Sequence, residues 1–338
     1  MFNLHKAYQL NPEMELENFN LDQEVLSPAQ NTALARTIHA FGPDVLAILD
    51  HRPHPVQLIQ ALSLLYQGKK KPKIVFHIFG DFTLYYPLWE RMVSPLEGFQ
   101  VEFLVASDRQ KVLMDKMLLS NPTVVCPFPV NPEEFFPDQN LRSQQRQDWG
   151  LTDQDMVFLF TGRLSRQKRI KTLIASFASE FENDSHAHLY LYGGQDNIGD
   201  PFLGIADLEG EYFRIFYHAY KALPLQLQKR IHFMGSVPNA DLLKVYQGAD
   251  VFMNLSVHND EDYGMSVAEA QFTGLPIGLT DWGGLASFHH PELPQATSFI
   301  PVKIGVRSKQ ISITQVRKTL RNYFSNPQRD NRKHIAKA

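Results

Sequence analysis

The sequence predicts an α/β protein of two successive domains, each built from parallel strands joined by helical crossovers. Three observations predict it. The chain has 338 residues, more than one ordinary domain needs. Short β-rich apolar runs alternate with helix-period segments along most of its length. One proline-containing polar stretch interrupts that rhythm before it restarts.

Taken in order, Ser27-Pro28 sets an N-cap with proline at the first helical position, and Gly42 stops that helix after Phe41. Residues 44–49 predict a buried strand, 56–66 a helix, 73–79 and 100–105 strands, 108–119 a helix and 123–127 a strand. From 128 to 155, with Pro129, Pro132, Pro137 and a polar run through Gln147, an interdomain connection is expected, dividing the chain into domains at 1–145 and 146–338. The rhythm resumes with a strand at 156–161, a helix at 170–181 and a strand at 187–192 that ends in Gly193-Gly194. An amphipathic segment at 211–223 follows, then a strand at 230–234, a helix at 240–247 and a strand at 250–255. A helix at 266–272 and a strand at 275–279 complete the pattern. Two such units form a cleft, and folds of this kind bind ligands at strand C-terminal ends.

Composition narrows the function. Hydrophobic residues make up 43% and charged residues 20%, which suits a globular protein with sizeable cores. A net charge of -3 points away from nucleic acid. The lone Cys126, between Val125 and Pro127, reads as a small buried hydrophobe and fits a reducing compartment. No apolar run approaches the roughly 20 residues that span a bilayer, and the polar, acid-containing N-terminus is unlike a signal peptide. A cytoplasmic protein is expected. The run Lys69-Lys70-Lys71-Pro72-Lys73 offers either a solvated surface loop or a peripheral contact with anionic lipid.

Four segments carry chemistry. In Phe160-Thr-Gly-Arg-Leu-Ser-Arg-Gln-Lys-Arg-Ile-Lys171 an apolar strand ends at Gly162 and a helix starts just after a basic turn crowded with Arg163, Arg166, Lys168, Arg169 and Lys171. Free amides and a positive dipole end at such a turn, with added guanidinium and ammonium groups, suit a phosphate or diphosphate; a solvated basic helix start is the bland alternative. In Glu261-Asp-Tyr-Gly-Met-Ser-Val-Ala-Glu269, Gly264 permits close backbone approach, and the amides near Met265, Ser266 and Val267 open a helix. Glu261 and Glu269 flank those amides and could hold the hydroxyls of a sugar and of a ribose, or be a plain loop acid and a structural acid. Tyr192-Gly193-Gly194 and Asp281-Trp-Gly-Gly284 each put glycines at a strand's C-terminal end, a weak signal singly.

Together these segments resemble the retaining glycosyltransferases of the GT-B fold, in particular glycosyltransferase family four (glycosyl transferases group 1). The family's "GRL…K" segment stands as Gly162-Arg163-Leu164 with Lys168, and its Glu-seven-residues-Glu motif as Glu261 and Glu269. The stretches 127–137 and 231–238 resemble its approach to the linker and its base-holding strand and loop. The resemblance is close from about Val101 to Gly284. It implies two Rossmann-like domains facing a central cleft, and transfer of a hexose from a nucleoside-diphosphate sugar of UDP or GDP type to a glycan, lipid or protein hydroxyl, with retention. Arg163 and Lys168 would neutralise the diphosphate, Glu269 would hold the ribose and Glu261 the donor sugar. Gly162, Gly193, Gly264, Met265, Ser266, Val267, Gly283 and Gly284 would line the donor, and Val237 the base. No cofactor and no metal are implied, and no DxD-type pair stands out around Asp260 and Asp262.

In the N-terminal half, Ile74-Val-Phe-His77 resembles the family strand that delivers a histidine near the reacting carbon, so His77 joins the catalytic candidates. The other reading is a strand-end histidine with a structural hydrogen bond. Asp81, His51 and His54 are weaker candidates nearby, while His186, His188, His289 and His290 lack metal-site context. The family's opening strand and glycine-rich loop are not found, four strands precede the connection, and the chain stops where a final helix would cross back, so either a reduced member with a reduced N-terminal domain or a fragment of a longer chain is expected. That departure keeps a second reading open: a non-catalytic nucleotide-sugar-binding scaffold subunit that needs a partner chain. An epimerase on the same fold is a third. No G-x-G-x-x-G opens a helix and no G-x-x-x-x-G-K-[ST] occurs, which disfavours NAD and P-loop enzymes.

Overall fold

Two parallel sheets organise the chain, which divides into compact units at Met1–Pro129 and Val130–Ala338. The computed structural model describes residues 8–19, 26–50, 55–116, 121–196, 210–259, 261–290, 292–306 and 308–337. His51, His54, Asp260 and most of 196–209 lie outside them.

The first unit runs α1 (Pro28–Phe41), β1 (Val45–Leu49), α2 (Val56–Leu65), β2 (Lys73–Ile78), a 3-10 turn at Phe82–Tyr85, α3 (Tyr86–Met92), β3 (Gln100–Val105), α4 (Asp108–Met114) and β4 (Thr123–Val125). Helix α1 starts as its residues dictate: the Ser27 hydroxyl accepts from the Gln30 amide while the Gln30 side chain accepts from the Ser27 amide. It ends at Gly42, whose φ of 68° suits a residue without a Cβ. The strands lie in the order β1-β2-β3-β4, all parallel. Phe76 stacks on Phe103 at 5.3 Å between ring centres, and the buried Trp89 donates its indole N–H to the Phe82 carbonyl.

Several charges of the lysine run meet partners in this unit. Lys70 pairs with Asp44, Lys71 donates to the Glu97 carbonyl at 2.6 Å, and Lys73 pairs with Glu102. Cys126, expected to be buried, is exposed. It lies one residue beyond β4, the short edge strand of this sheet, so a side chain there has no neighbouring strand beyond it.

The second unit runs α5 (Gln139–Asp148), β5 (Met156–Thr161), α6 (Ile170–Glu180), β6 (Ala187–Tyr192), α7 (Glu211–Lys221), α8 (Leu225–Gln228) and β7 (Ile231–Gly235). It continues with α9 (Asn239–Gly248), β8 (Val251–Asn254), α10 (Met265–Phe272), β9 (Ile277–Thr280), β10 (Thr297–Ile300), a hairpin of β11 (Val302–Ile304) and β12 (Lys309–Ile311), α11 (Ile313–Ser325) and α12 (Arg332–Ile335). The sheet order is β10-β9-β8-β5-β6-β7, with every neighbouring pair parallel. The chain therefore builds outward from β5 on one side, then returns and builds outward from β8 on the other. The reversal between β5 and β8 is the topological switch point, where folds of this class bind ligands beyond the strand C-termini.

All six residues of β5 are buried. Phe158 and Phe160 pack with Leu189, Leu191 and Met253 on one face, while Val157 and Leu159 pack with Tyr190 and Phe252 on the other. A run apolar on both faces is what a central parallel strand requires, at about 1.5–3 kcal/mol per large side chain buried.

The stretch 128–155, expected as a connection, instead contains α5 and from Val130 onward belongs with the second unit, so the units divide at Pro129/Val130 rather than at 145/146. The physical reason lies in the way α5 buries arginine. Its sequence, QNLRSQQRQD, offers one apolar residue, so no hydrophobic stripe announces a helix. Arg142 and Arg146, one turn apart, lay their stems inward and reach the buried Asp250 just before β8, at 2.6 and 3.1 Å. Arg329 reaches the same carboxylate at 2.8 Å, and the Val157 amide donates to it at 2.8 Å. Beside them, Arg332 of α12 caps the carbonyls of Gln247 and Tyr246. Burial pushes the Asp250 carboxyl up, but the three guanidinium groups hold it below its ordinary value. Burial and the neighbouring arginines bring Arg332 down to about 9.

Candidate functional site

Glycine lets three strand ends converge. Beyond β5, β6 and β7, the Gly162 amide donates to the Tyr192 carbonyl at 3.0 Å and the Gly193 amide to the Gly235 carbonyl at 2.8 Å. Gly193 has φ 142°, and a Cβ there would come 1.8 Å from the Gly162 carbonyl oxygen. Any side chain would push the two strand ends apart. Gly162 and Gly193 are thus brought side by side, with Val237 half-buried in the loop that follows β7.

The basic turn then folds as a 3-10 segment, Arg166–Lys168, closed by Arg169 at φ 56° before α6 begins. This aims Lys168 across the switch point at the loop leaving β8, where its ammonium pairs with the Glu261 carboxylate. Both side chains are nearly buried, at 14% and 8% exposure. Burial pushes the Glu261 carboxyl up; the Lys168 ammonium, the Ser256 hydroxyl and His258 pull it down further, so it sits below its ordinary value. At neutral pH Glu261 is therefore a carboxylate facing Lys168.

The rest of the glycine motif closes around that loop. The Gly284 amide donates to the Glu261 carbonyl at 2.6 Å, and a Cβ on Gly284 would lie 1.9 Å from the Asp262 carbonyl oxygen. A Cβ on Gly283 would lie 2.4 Å from the Glu261 carbonyl oxygen. These two glycines therefore seat the Glu261 loop. Gly264, at φ 107°, opens α10. The Val267 amide, expected to face a ligand, donates to the Gly264 carbonyl at 2.9 Å. The amides of Met265 and Ser266 start the helix, with no intrahelical carbonyl one turn behind them.

Glu269, one turn inside α10, is held by a residue the motif reading missed. The fully buried Tyr246 of α9 donates its hydroxyl to Glu269 Oε2 at 2.8 Å and lies 2.8 Å from the Thr161 hydroxyl. The phenol has one proton, so Thr161 is the donor to its oxygen. Burial pushes the Glu269 carboxyl above its usual value despite the tyrosine's donation, and burial with the adjacent carboxylate drives the Tyr246 phenol well up. A tyrosine at the buried end of an amphipathic helix looks like core in sequence, and only its depth beside Glu269 reveals the contact.

Arg163 points elsewhere: its guanidinium is half-exposed and pairs with Asp196 at 2.8 Å. Among the described residues no group of three His, Cys, Asp or Glu side chains is placed to hold a metal ion, and no helix is long and apolar enough to cross a membrane. His77 belongs to the first unit, near the end of β2. It is buried, its Nε2 lies 2.8 Å from the Tyr8 hydroxyl, and burial lowers its imidazole to about 4, so it is neutral. Asp81 caps the turn at Thr83.

The chain's likeness to known proteins concentrates on the same unit. Residues 142–293 match the sequence profile of the family described as glycosyl transferases group 1. A mannosylfructose-phosphate synthase from Agrobacterium fabrum is 31% identical over 152 residues, 45% of this chain and 31% of that protein. The matched stretch spans 31%, 35% and 31% of the lengths of three such curated relatives. Among solved structures, a sucrose-phosphate synthase from Thermosynechococcus elongatus superposes with a TM-score of 0.63 at 16% identity, covering 97% of this chain and 77% of that one. Anabaena HepE in complex with UDP gives 0.66 at 15%, covering 91% and 77%. At such identity the likeness is one of fold, and the fold is GT-B.

Proposed function

We propose, from a second unit whose residues 142–293 belong to the glycosyl transferases group 1 family, that this protein moves a hexose from a nucleoside-diphosphate sugar to a hydroxyl of a glycan, lipid or protein. The observation that carries the reading is the buried Lys168–Glu261 pair at the switch point, beside the glycine-opened start of α10. The reaction expels a nucleoside diphosphate, so negative charge grows on the leaving oxygen. A fixed ammonium and the first amides of α10 stabilise that charge more in the transition state than in the ground state. Lys168 supplies the cation, and Arg163 supplies a second once the diphosphate displaces Asp196. Glu261 accepts hydrogen bonds from the donor sugar. Glu269 accepts from the ribose through Oε1, its Oε2 being engaged by Tyr246. The base lies along the loop at Val237, and His77 serves the acceptor side. In this reading charge neutralisation falls to Arg163 and Lys168 rather than to a metal, no cofactor takes part, and the anomeric configuration is retained. A solved relative by fold holds UDP, which supports a uridine or other nucleoside diphosphate as the donor's leaving group.

Calorimetric titration with UDP, GDP and ADP tests the reading, beside the variants Glu269→Ala and Arg163→Ala. One diphosphate is expected to bind at micromolar strength and both variants to weaken it by about tenfold or more. Failure of the wild type to bind any of the three at millimolar concentration overturns the donor site.

A further inference from the structure

A basic side chain outside the family match holds the Glu261 loop in shape. Lys309, the first residue of β12, donates from Nζ to the Val257 carbonyl at 2.8 Å and to the Asn259 side-chain oxygen. The same ammonium lies 4.6 Å from the centre of the Trp282 ring. Trp282 in turn donates its indole N–H to the carbonyl of the intervening residue, His258, at 2.8 Å. The opposite side of this loop is fastened as well. The Val257 amide donates to the Gln167 carbonyl, next to Lys168, at 3.0 Å, and the His258 amide to the Ser256 hydroxyl at 3.3 Å. The Glu261 amide reaches back to the His258 carbonyl at 3.3 Å. Arg169 fixes Lys309 itself by donating to its carbonyl at 2.8 Å.

We infer that Lys309 is a positioning residue for the donor sugar: with Trp282 it latches peptide 257–259 to the β11–β12 hairpin and so fixes where the Glu261 carboxylate stands. The inference rests on the donor-site reading, in that Glu261 meets the sugar. Its physical basis is that three consecutive loop residues have polar groups gripped by one ammonium and one indole, two residues before the carboxylate. A site held by a loop needs such support, because a displacement of about 1 Å at the reacting group costs much of its effect. The diphosphate contacts assigned to Lys168 and the amides of α10 lie on other elements, so loss of the latch falls chiefly on the sugar contact of Glu261 and only secondarily, through the Lys168–Glu261 pair, on the nucleotide.

The test uses Lys309→Met, which keeps the aliphatic stem and removes the charge and donors, with Lys309→Arg as the conservative control. Amide exchange in 257–261 is expected to speed up in Lys309→Met while β9 stays protected; unchanged exchange overturns the latch. Binding of UDP, GDP and ADP and of their glucose conjugates is then compared. Lys309→Met is expected to leave the diphosphate Kd within about twofold, to weaken the matching sugar conjugate by about tenfold, and to be largely rescued by Lys309→Arg. Equal weakening of both ligands, or of neither, overturns the sugar-positioning role. A wild type that binds no diphosphate fails at an earlier point, overturning the donor reading and this role with it, while the exchange experiment still reports the latch.

Discussion

A buried carboxylate lies beyond each end of strand β8, and the two have opposite surroundings. Asp250, entering the strand, is met by three arginines and a backbone amide. Glu261, in the loop that leaves it, is met by one lysine, with a hydroxyl and an imidazole close by. Both carboxyls are held below their ordinary values against the push of burial. The first is saturated: every oxygen is committed to the protein, and the cluster ties α5, Arg329 and the sheet into one body. The second is a single strong pair at the switch point, with glycine backbones around it. Saturation suits a structural charge, whereas a buried pair with fewer partners beside a helix opening is the arrangement that the proposed donor site draws on.

The comparison breaks first, and with the largest effect, at Asp250. Asp250→Asn leaves buried guanidinium groups without their counter-charge, and the unfolding free energy is expected to fall by about 3–5 kcal/mol in a denaturant titration. A loss under about 1 kcal/mol would remove the distinction between the two ends.

Neutralising both partners at the other end sharpens it. The double variant Lys168→Met with Glu261→Gln strands no charge, so stability should change by less than about 1 kcal/mol. Turnover of the donor, by contrast, is expected to drop on the order of 10²-fold or more, because the fixed ammonium and the sugar contact vanish together. Destabilisation as deep as that of Asp250→Asn would make the Lys168–Glu261 pair another structural clasp.

A third test extends the comparison to the first unit. His77 has one neutral side-chain partner among the described residues, Tyr8, and its imidazole is lowered to about 4 by burial. The unfolded chain, with an imidazole near 6.5, binds more protons between those two values. Stability is therefore full above about pH 6.5 and is lost as the pH falls toward about 4, by roughly 3 kcal/mol. His77→Gln should flatten that part of the pH profile; an unaltered slope would show that the histidine is not held neutral.

Much of the site was legible from residue order. Gly162-Arg163-Leu164 and Lys168 follow a run whose apolar pattern announces a strand, and Glu261, Gly264 and Glu269 stand in the loop before, at the start of, and one turn inside a run that announces a helix, so their placement follows from local chemistry. The contacts of Tyr246, Thr161, Trp282 and Lys309 were not legible. Tyr246 sits in a helix one element away from Glu269, and Lys309 lies in a short hairpin outside the recognisable motif. The roles expected of Gly283, Gly284 and Val267 also look different in three dimensions, since the two glycines admit the Glu261 loop and the Val267 amide closes on Gly264.

By itself the sequence determined the alternation of strands and helices, the parallel sheets and the charged groups at the strand ends. These depend on periodicity, capping and turn residues, all of them interactions between near neighbours along the chain. Tertiary structure alone decided that a polar segment with one apolar residue would become α5, that Cys126 would be exposed, and that Lys168 would pair with Glu261 rather than with solvent. Those outcomes turn on which distant groups share a buried volume. The free energy of a buried charge is set by its partners there, and residue order does not state who they are.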